Sequence, residues 1–278
     1  MEDNAREALF AKNQKIIEMV IERAKRDFPN DIGLIGLTGS FNHGDYHEHS
    51  DLDLIIVNVT ERGWEISFLF ILDDVGYDIY CTPWEPRLAS QSKLESEMVS
   101  CLLDMKILYT AKPEYMDKLN AYRKAALDEL AKPIGKSCLD RAMKHINQAK
   151  QEYANALLVN EIGPVRYAAG GVLYYTVNAI VSLNNTYMKR GVRRYLEEMR
   201  TYQYLPEDFE ENYMAVIDGK TTEELRCAAF DLLKVWTNCI KKWLRISVKN
   251  QLLPMKTYGA HMKNCGVIAV TKLSVART

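Results

Sequence analysis

The sequence lacks the features of a secreted or membrane-embedded chain. Its longest apolar stretches, near residues 66–72 and 170–183, are shorter than the roughly 20 residues that a membrane-spanning helix needs. The first twenty residues are charged and helical in pattern, so we expect no signal peptide. The six cysteines form no CxxC pair and lie mostly in apolar surroundings, which predicts reduced thiols and a cytoplasmic location.

Two common phosphate-binding motifs are also missing. The segment "PIGKS" ends like a Walker A loop, but Leu130 occupies the position of its first glycine. The segment "GLIGLTG" contains no GxG and is therefore no dinucleotide fingerprint. With a formal net charge of -1, the chain as a whole is not built to bind polyanions.

Acidic residues are absent after Asp231, while nine lysines and arginines follow it. Residues 1–231 therefore carry about ten net negative charges. A basic last helix that docks on an acidic body accounts for this pattern, and polyanion binding by the tail, tRNA included, is the alternative. After Pro254 the periodicity fades, and we predict no structure there.

The first third of the chain mixes helices and strands. We predict a helix over residues 4–27, buried strands over residues 32–39 and 51–59, and an alternating strand over residues 77–84. The length and terminal glycine of residues 62–76 favour a helix, although their β-branched and aromatic content allows a strand.

Later segments are helical in pattern. Residues 88–109 open as a helix, and every periodic segment after Pro133 has helical spacing. We therefore predict an α+β protein with three parts. They are an α/β domain with a small mixed sheet (1–125), an all-helical bundle domain (126–250) and a tail without predicted structure (251–278).

Two aspartates at the start of the second strand are candidate metal ligands. Asp51 and Asp53 are separated by one residue, so on a strand both carboxylates leave the same face while Leu52 and Leu54 point into a core. Adjacent anions repel each other unless a cation lies between them. Carboxylate oxygens are the ligands that Mg²⁺ prefers, although two solvated aspartates at a strand start remain the alternative.

A Gly-Ser pair precedes the aspartates and strengthens the case for a phosphate site. Gly39 and Ser40 end the preceding strand and begin the loop that returns to Asp51. Glycine lets backbone N–H groups approach a ligand, and Ser40 adds a hydroxyl. A third carboxylate, Asp78, lies on the strand over residues 77–84. Its neighbours Tyr77 and Ile79 should face away from it.

Other residues compete for these roles. Asp73 and Asp74 are rivals to Asp78, but they have the pattern of a helix end. Three histidines within seven residues, His43, His47 and His49, would suit zinc, although no cysteine lies near them. We favour the interpretation that they are loop residues, which line a nucleotide pocket or face solvent.

The combination "GS…SDLDL…YD" resembles the nucleotidyltransferase superfamily of DNA polymerase β, and within it the kanamycin-type antibiotic nucleotidyltransferases. The resemblance spans roughly residues 10–245 and implies nucleotide-phosphate binding by Gly39 and Ser40. It implies that Asp51, Asp53 and Asp78 hold two Mg²⁺ ions. The loop departs from the family pattern because "NHG" stands where many members carry a small residue, Arg and Gly.

The resemblance also implies an acceptor site in the helical half. "EYANAL" is similar to the family helix in which a Glu before Tyr-Ala is the general base, and that position is Glu152 here. Ala156 stands where the family carries a Lys.

Small residues beside aromatics over residues 166–180 favour a helix-packing face, and an acceptor pocket lined by Tyr174, Tyr175 and Asn178 is the alternative. The small residues at 168–171 offer a surface for packing within or between chains. We expect a homodimer in which Glu152 of one chain serves the metal site of the other.

The implied activity is Mg²⁺-dependent transfer of a nucleoside monophosphate from an NTP, ATP in the first instance, with release of pyrophosphate. The implied acceptor is a hydroxyl of a small molecule such as an aminoglycoside, which would make the protein an antibiotic-resistance enzyme. Two alternatives stay open. One is a toxin–antitoxin-type nucleotidyltransferase that modifies protein or tRNA, and the other is a catalytically silent nucleotide-binding module.

Overall fold

A computed structural model describes residues 2–47 and 49–249 of the protein, and contacts divide them into two compact units. The first unit comprises the chain up to Lys132 together with Tyr187–Tyr195. The second comprises Pro133–Thr186 and the described residues from Leu196 onward. The predicted domain limits stay a prediction, and the segment after Pro254 lies outside the described residues.

The predicted first helix is confirmed as α1 (Glu2–Asp27), and it covers one face of the sheet in the first unit. Its buried apolar residues recur every three or four positions and so share one side of the helix. They are Leu9, Ile16, Ile17, Val20 and Ala24. These residues pack with alternate residues of the strands, including Leu37, Leu52, Leu54 and Tyr77, to form the larger apolar core.

The sheet of the first unit is mixed and has five strands. They are β1 (Ile32–Thr38), β2 (Leu52–Asn58), β3 (Phe68–Leu72), β4 (Val75–Pro83) and β5 (Lys106–Thr110). Their order is β3-β4-β2-β1-β5, with β2 and β4 parallel and the other pairs antiparallel. The three strands predicted from the sequence are confirmed as β1, β2 and β4.

Residues 62–76 form half of a hairpin, so the predicted helix is wrong. A 3-10 turn over Glu61–Ile66 leads into β3, which pairs with β4 across the two residues Asp73 and Asp74. Their φ angles are 52° and 60°, the positive values that a two-residue primed hairpin turn requires and that aspartate tolerates. Asp73 and Asp74 therefore form a turn and do not end a helix.

The opposite face of the sheet is covered by α3 (Ala89–Ser92), α4 (Ser100–Leu103) and α5 (Pro113–Leu130). Strand residues Leu34, Ile55 and Val57 pack there with Leu102 and Leu119. The helix that opens at residue 88 is short, because the chain takes positive φ at Leu94 and Met98. Strand β5 and helix α5 were not predicted.

The second unit is helical, which confirms the α+β class. Its long helices are α6 (Lys136–Leu158), α7 (Ile162–Leu183) and α10 (Thr222–Lys249), and the shorter α8 (Tyr195–Met199) and α9 (Phe209–Asp218) lie between α7 and α10 in the sequence. Ala168 and Ala169 of α7 are buried, so this small-residue face packs within the chain itself. Among the described helices, none is both long and apolar enough to cross a bilayer.

Candidate functional site

The parallel pairing of β2 and β4 places two aspartates side by side. Asp53 is the register partner of Asp78, and Asp51 immediately precedes β2. Leu52, Leu54, Tyr77 and Ile79 are buried on the α1 face, so the expected alternation is present on both strands. The carboxylates of Asp53 and Asp78 therefore leave the other face of the sheet.

Gly39 closes the site from the side of β1. It has φ of 71°, and a Cβ at residue 39 would lie 2.0 Å from Oδ2 of Asp53. Thr38, the residue before it, is the register partner of Asp53. Only glycine fits this position, because any other side chain would overlap the Asp53 carboxylate and strain the backbone.

The site is electrostatically unfavourable without a cation. Burial raises the pKa of Asp53 to about 6, with further contributions from the charges of Asp51 and Asp78. Burial also raises the pKa of Asp78, and the charge of Asp51 adds to this effect. Asp53 and Asp78, whose ionisation is disfavoured by burial and by the charge of Asp51, would gain from a bound positive charge.

Ser40 presents a polar atom that its surroundings do not satisfy. It is the second residue of the short helix α2 (Gly39–His43), and its hydroxyl is buried. Among the described residues Ser40 Oγ has no hydrogen-bond partner. A buried hydroxyl of this kind costs free energy unless a water or ligand oxygen meets it.

The donor set suits a hard divalent cation, although the side chains are not gathered around one point. Within the described part of the chain, no group of three or more His, Cys, Asp or Glu side chains is arranged to hold a metal ion. The oxygen chemistry of Asp51, Asp53 and Asp78 and their mutual repulsion nevertheless fit Mg²⁺ better than they fit a softer metal.

Tyr80 is a neighbour of the site that the sequence analysis missed. It lies two residues after Asp78 on β4 and so shares its face, and its hydroxyl is 3.7 Å from Sγ of Cys101. Burial raises the pKa of Tyr80, and the charges of Asp53 and Asp78 raise it further. The two-residue period of β4 was the signal that could have identified it.

The three histidines occupy different environments. The backbone N–H of His49 donates to Nδ1 of His47 at 3.2 Å, and the two rings are 6.5 Å apart. His43 ends α2 and lines a cavity of about 460 Å³ together with basic residues of Tyr187–Tyr195. Nδ1 of His47 therefore accepts a backbone hydrogen bond.

Glu152 belongs to the second unit, whereas Gly39, Ser40 and the three aspartates belong to the first. It lies half-buried on α6, and a Cβ at Gly171 of α7 would lie 2.8 Å from its Cγ. Nδ2 of Asn155 donates to Glu152 Oε2 at 3.3 Å. The glycine at residue 171 thus leaves the room in which the Glu152 side chain lies.

The residues expected to line an acceptor pocket lie on α7. The rings of Tyr174 and Tyr175 meet edge to face at 5.2 Å, and Tyr175 stacks on His145 at 6.5 Å. Nδ2 of Asn178 donates to the backbone oxygen of Tyr174 at 3.0 Å. The pocket itself stays a prediction.

Residues 17–100, which carry β1 to β4 with Gly39, Ser40 and the three aspartates, match the family of nucleotidyltransferase domains. This part of the chain is a nucleotidyltransferase domain, and the protein is an enzyme of the nucleotidyltransferase class. Domains of this family generally use a nucleoside triphosphate and a divalent metal. The closer likeness to kanamycin-type enzymes stays a prediction.

Other similarities are weak. A nucleotidyltransferase-like protein from Exiguobacterium sibiricum, known from a crystal structure, is 12% identical, with a TM-score of 0.38. The match covers 84% of this chain and 80% of that one. None of the curated proteins compared with the chain matches it.

Proposed function

We propose that the protein transfers a nucleoside monophosphate from ATP to a hydroxyl of a small molecule such as an aminoglycoside and releases pyrophosphate. The observation that carries the proposal is the position of Asp53, whose carboxylate lies against Gly39 and whose register partner on β4 is Asp78. Burial and the charges of Asp51 and Asp78 raise the pKa of Asp53 to about 6, in keeping with this arrangement. A cluster of this kind, next to a buried hydroxyl without a partner, suits the charge of a nucleotide with its metal.

Asp51, Asp53 and Asp78 are the residues that would hold two Mg²⁺ ions. Bound there, the ions would supply neutralisation of phosphate charge and activation of the attacking oxygen. The chain's own residues orient the nucleotide, since Gly39 allows close approach of the backbone and Ser40 offers its hydroxyl to a phosphate oxygen. Binding the nucleotide would thus meet the unsatisfied hydroxyl of Ser40.

Glu152 is the proposed general base that takes the proton of the acceptor hydroxyl. Its support is its position on α6, where its side chain lies over Gly171, and the similarity of "EYANAL" to the corresponding family helix. Changing Glu152→Gln keeps the shape and removes the base, so transfer should fall by roughly 10²–10⁴-fold while ATP binding is kept.

The proposed location is the cytoplasm, because its reducing conditions suit the buried thiols Cys81, Cys101 and Cys138.

One experiment tests the activity. The protein is incubated with ATP labelled at the α-phosphate and with aminoglycosides, lincosamides or tRNA, with and without Mg²⁺. We expect label on a small hydroxylated acceptor, only with Mg²⁺, and no transfer by Asp53→Asn. Label on tRNA or on protein identifies the toxin-type activity instead, and transfer that survives Asp53→Asn rules this site out.

We further propose that the enzyme is a homodimer in which Glu152 of one chain serves the aspartates of the other. Glu152→Gln and Asp53→Asn chains are each expected to be inactive alone. If the site is shared, mixed dimers recover one working site and part of the activity. A mixture that stays inactive although hybrid dimers form places the site within one chain or excludes Glu152 as the base.

A further inference from the structure

A short basic segment returns from the helical part of the sequence to the first unit. Tyr187–Tyr195 follows α7 in the chain, yet its contacts place it with the nucleotidyltransferase domain. Its sequence, "YMKRGVRRY", contains four Lys or Arg residues and no acid. The segment therefore adds positive charge to a domain whose proposed ligand is a polyphosphate.

The segment forms a wall of the cavity that His43 also lines. Three of its cations, Lys189, Arg190 and Arg194, face the cavity of about 460 Å³, together with Tyr187. The ammonium of Lys189 lies 5.7 Å from the centre of the Tyr187 ring, within the range of a cation–π contact. A cavity of this size holds a diphosphate group with its water.

Both carboxylates of the cavity have donors within the same wall. Arg194 Nη1 donates to Asp45 Oδ2 at 2.8 Å, and the hydroxyl of Tyr187 donates to Asp104 Oδ1 at 2.9 Å. The backbone oxygen of Asp104 accepts from Nδ2 of Asn42 at 2.8 Å. Asp104 therefore links the basic segment to α2 through these hydrogen bonds. The cavity is lined by three permanently charged cations and two carboxylates.

Helix α2 connects this cavity with the aspartates. Its first residue, Gly39, lies against Asp53, and its last residue, His43, lines the cavity. Four residue steps along an α-helix correspond to about 6 Å. A nucleotide whose first phosphate lies at Asp53 would therefore have its outer phosphates close to the cavity.

We propose that this cavity binds the β- and γ-phosphates of the nucleoside triphosphate, with Lys189 and Arg190 as the phosphate ligands. Arg194, oriented by Asp45, adds to the positive field. The inference rests on the proposed function and extends it, because it assigns the residues that hold the leaving pyrophosphate.

The test uses three probes that differ in their phosphates: inorganic pyrophosphate, ATP and AMP. Binding of each is measured by calorimetry with Mg²⁺ for the unaltered protein and for Lys189→Gln and Arg190→Gln. We expect each substitution to weaken binding of pyrophosphate and ATP about tenfold or more, the worth of one hydrogen bond to a charged group. AMP binding should stay unchanged.

Arg193→Gln is the matched control. Arg193 belongs to the same segment and is exposed, but it does not line the cavity. Its replacement removes the same charge from the segment and should leave all three affinities within about twofold, since exposed charges at a distance are screened. An equal loss in Arg193→Gln would show a general charge effect and overturn the inference.

Other outcomes separate the inference from the proposed function. Nucleotide transfer that requires Asp53 but has the same KM for ATP in Lys189→Gln and Arg190→Gln overturns the inference and leaves the function standing. Pyrophosphate binding lost in both variants, without transfer to any acceptor, supports the inference and counts against the function. Failure of the unaltered protein to bind pyrophosphate also overturns the inference.

Discussion

The carboxylate of Asp53 occupies the space that a side chain at Gly39 would need. A Cβ at residue 39 would lie 2.0 Å from Asp53 Oδ2, 3.1 Å from its Cγ and 3.4 Å from its Cβ. The Gly-Ser turn and the strand aspartate are therefore parts of one packed arrangement. Gly39 matters to the site through the position of Asp53 as well as through its own backbone.

This contact predicts different effects for two glycines of the same loop. Gly39 and Gly44 have φ of 71° and 74°, so alanine at either position meets a similar backbone cost of about 1–2 kcal/mol. A Cβ at Gly44 has nothing within 4 Å, whereas one at Gly39 meets Asp53. Gly39→Ala should lose at least about 10²-fold in nucleotide transfer because the carboxylate is displaced, while Gly44→Ala should keep it.

The comparison is made by urea unfolding and by transfer of labelled nucleotide. The stability loss should be clearly larger for Gly39→Ala, and the difference between the two variants measures the contact with Asp53. Equal losses of activity in both variants would mean that the backbone of the loop is what matters, and not the position of Asp53.

The raised pKa of Asp53 predicts a pH-dependent stability. Its pKa is about 6 in the folded protein against an ordinary 3.8, so the folded state binds the proton more tightly between these values. The free energy of unfolding should therefore fall as the pH rises from about 4 to about 6, by at most about 3 kcal/mol. Asp53→Asn should be more stable than the unaltered protein at pH 8 without metal, but not at pH 4.

Thermal unfolding with a chelator over this pH range checks the prediction. Asp117→Asn, at an exposed position of α5, is the control and should keep the pH dependence of the unaltered protein, because it retains Asp53. Added Mg²⁺ should raise the melting temperature of the unaltered protein at pH 8 and have less effect on Asp53→Asn. Parallel stability curves for Asp53→Asn and the unaltered protein would contradict the raised pKa.

Adjacent glycines of α7 test Glu152 without touching it. Alanine at a helical glycine should add about 0.5–1 kcal/mol of stability. A Cβ at Gly170 meets nothing within 4 Å, whereas one at Gly171 would lie 2.8 Å from Glu152 Cγ and displace that side chain. Gly171→Ala should lower transfer at least about tenfold with ATP binding kept, and Gly170→Ala should leave transfer unchanged.

The rate of nucleotide transfer and the calorimetric affinity for ATP, measured on the same preparations, check this prediction. If Gly171→Ala transfers nucleotide at the normal rate, the carboxylate of Glu152 does not take the acceptor proton from its present position. A loss of ATP binding in Gly171→Ala would point instead to a change beyond this side chain.

Asn13 is a buried polar residue whose replacement should stabilise the protein. It is fully buried on α1, and neither its amide nitrogen nor its oxygen has a partner among the described residues. Asn13→Leu should raise the free energy of unfolding by about 1–2 kcal/mol, because an unsatisfied amide is exchanged for apolar packing. Lys15→Leu, at an exposed position of α1, is the control, and a loss of stability in Asn13→Leu would show that water satisfies the amide.

The parts of the fold with a clear period were predictable. Apolar runs and alternation predict strands β1, β2 and β4, and the spacing of apolar residues every three or four positions predicts α1. For Phe68–Leu72 the pattern is apolar at every position, and such a run does not distinguish a strand from a buried helix. The turn at Asp73 and Asp74 and the pairing with β4 make this segment a strand, and both depend on contacts outside the segment.

Of the candidate site, only the arrangement of residues on the same strand could be predicted from the sequence. Alternation places Asp51 and Asp53 on one face, but the register that sets Asp78 opposite Asp53 depends on a parallel pairing between distant segments. The contact between Gly39 and Asp53 is likewise three-dimensional. Nothing in the local sequence of Tyr187–Tyr195 reveals that it packs in the first unit, since this depends on the path of the whole chain.

The two-residue turn before β4 sets the number of residues between β3 and Asp78, and so the register of Asp78 in the site. Asp73 and Asp74 join β3 to β4 with no spare residue, and Asp78 follows four positions later. A slip of β4 by one residue against β2 would exchange Asp78 for its buried neighbour Tyr77 on the face shared with Asp53. Natural variants of this segment should therefore differ by substitution at constant length, whereas a single inserted or deleted residue between Leu72 and Asp78 would remove one carboxylate from the cluster.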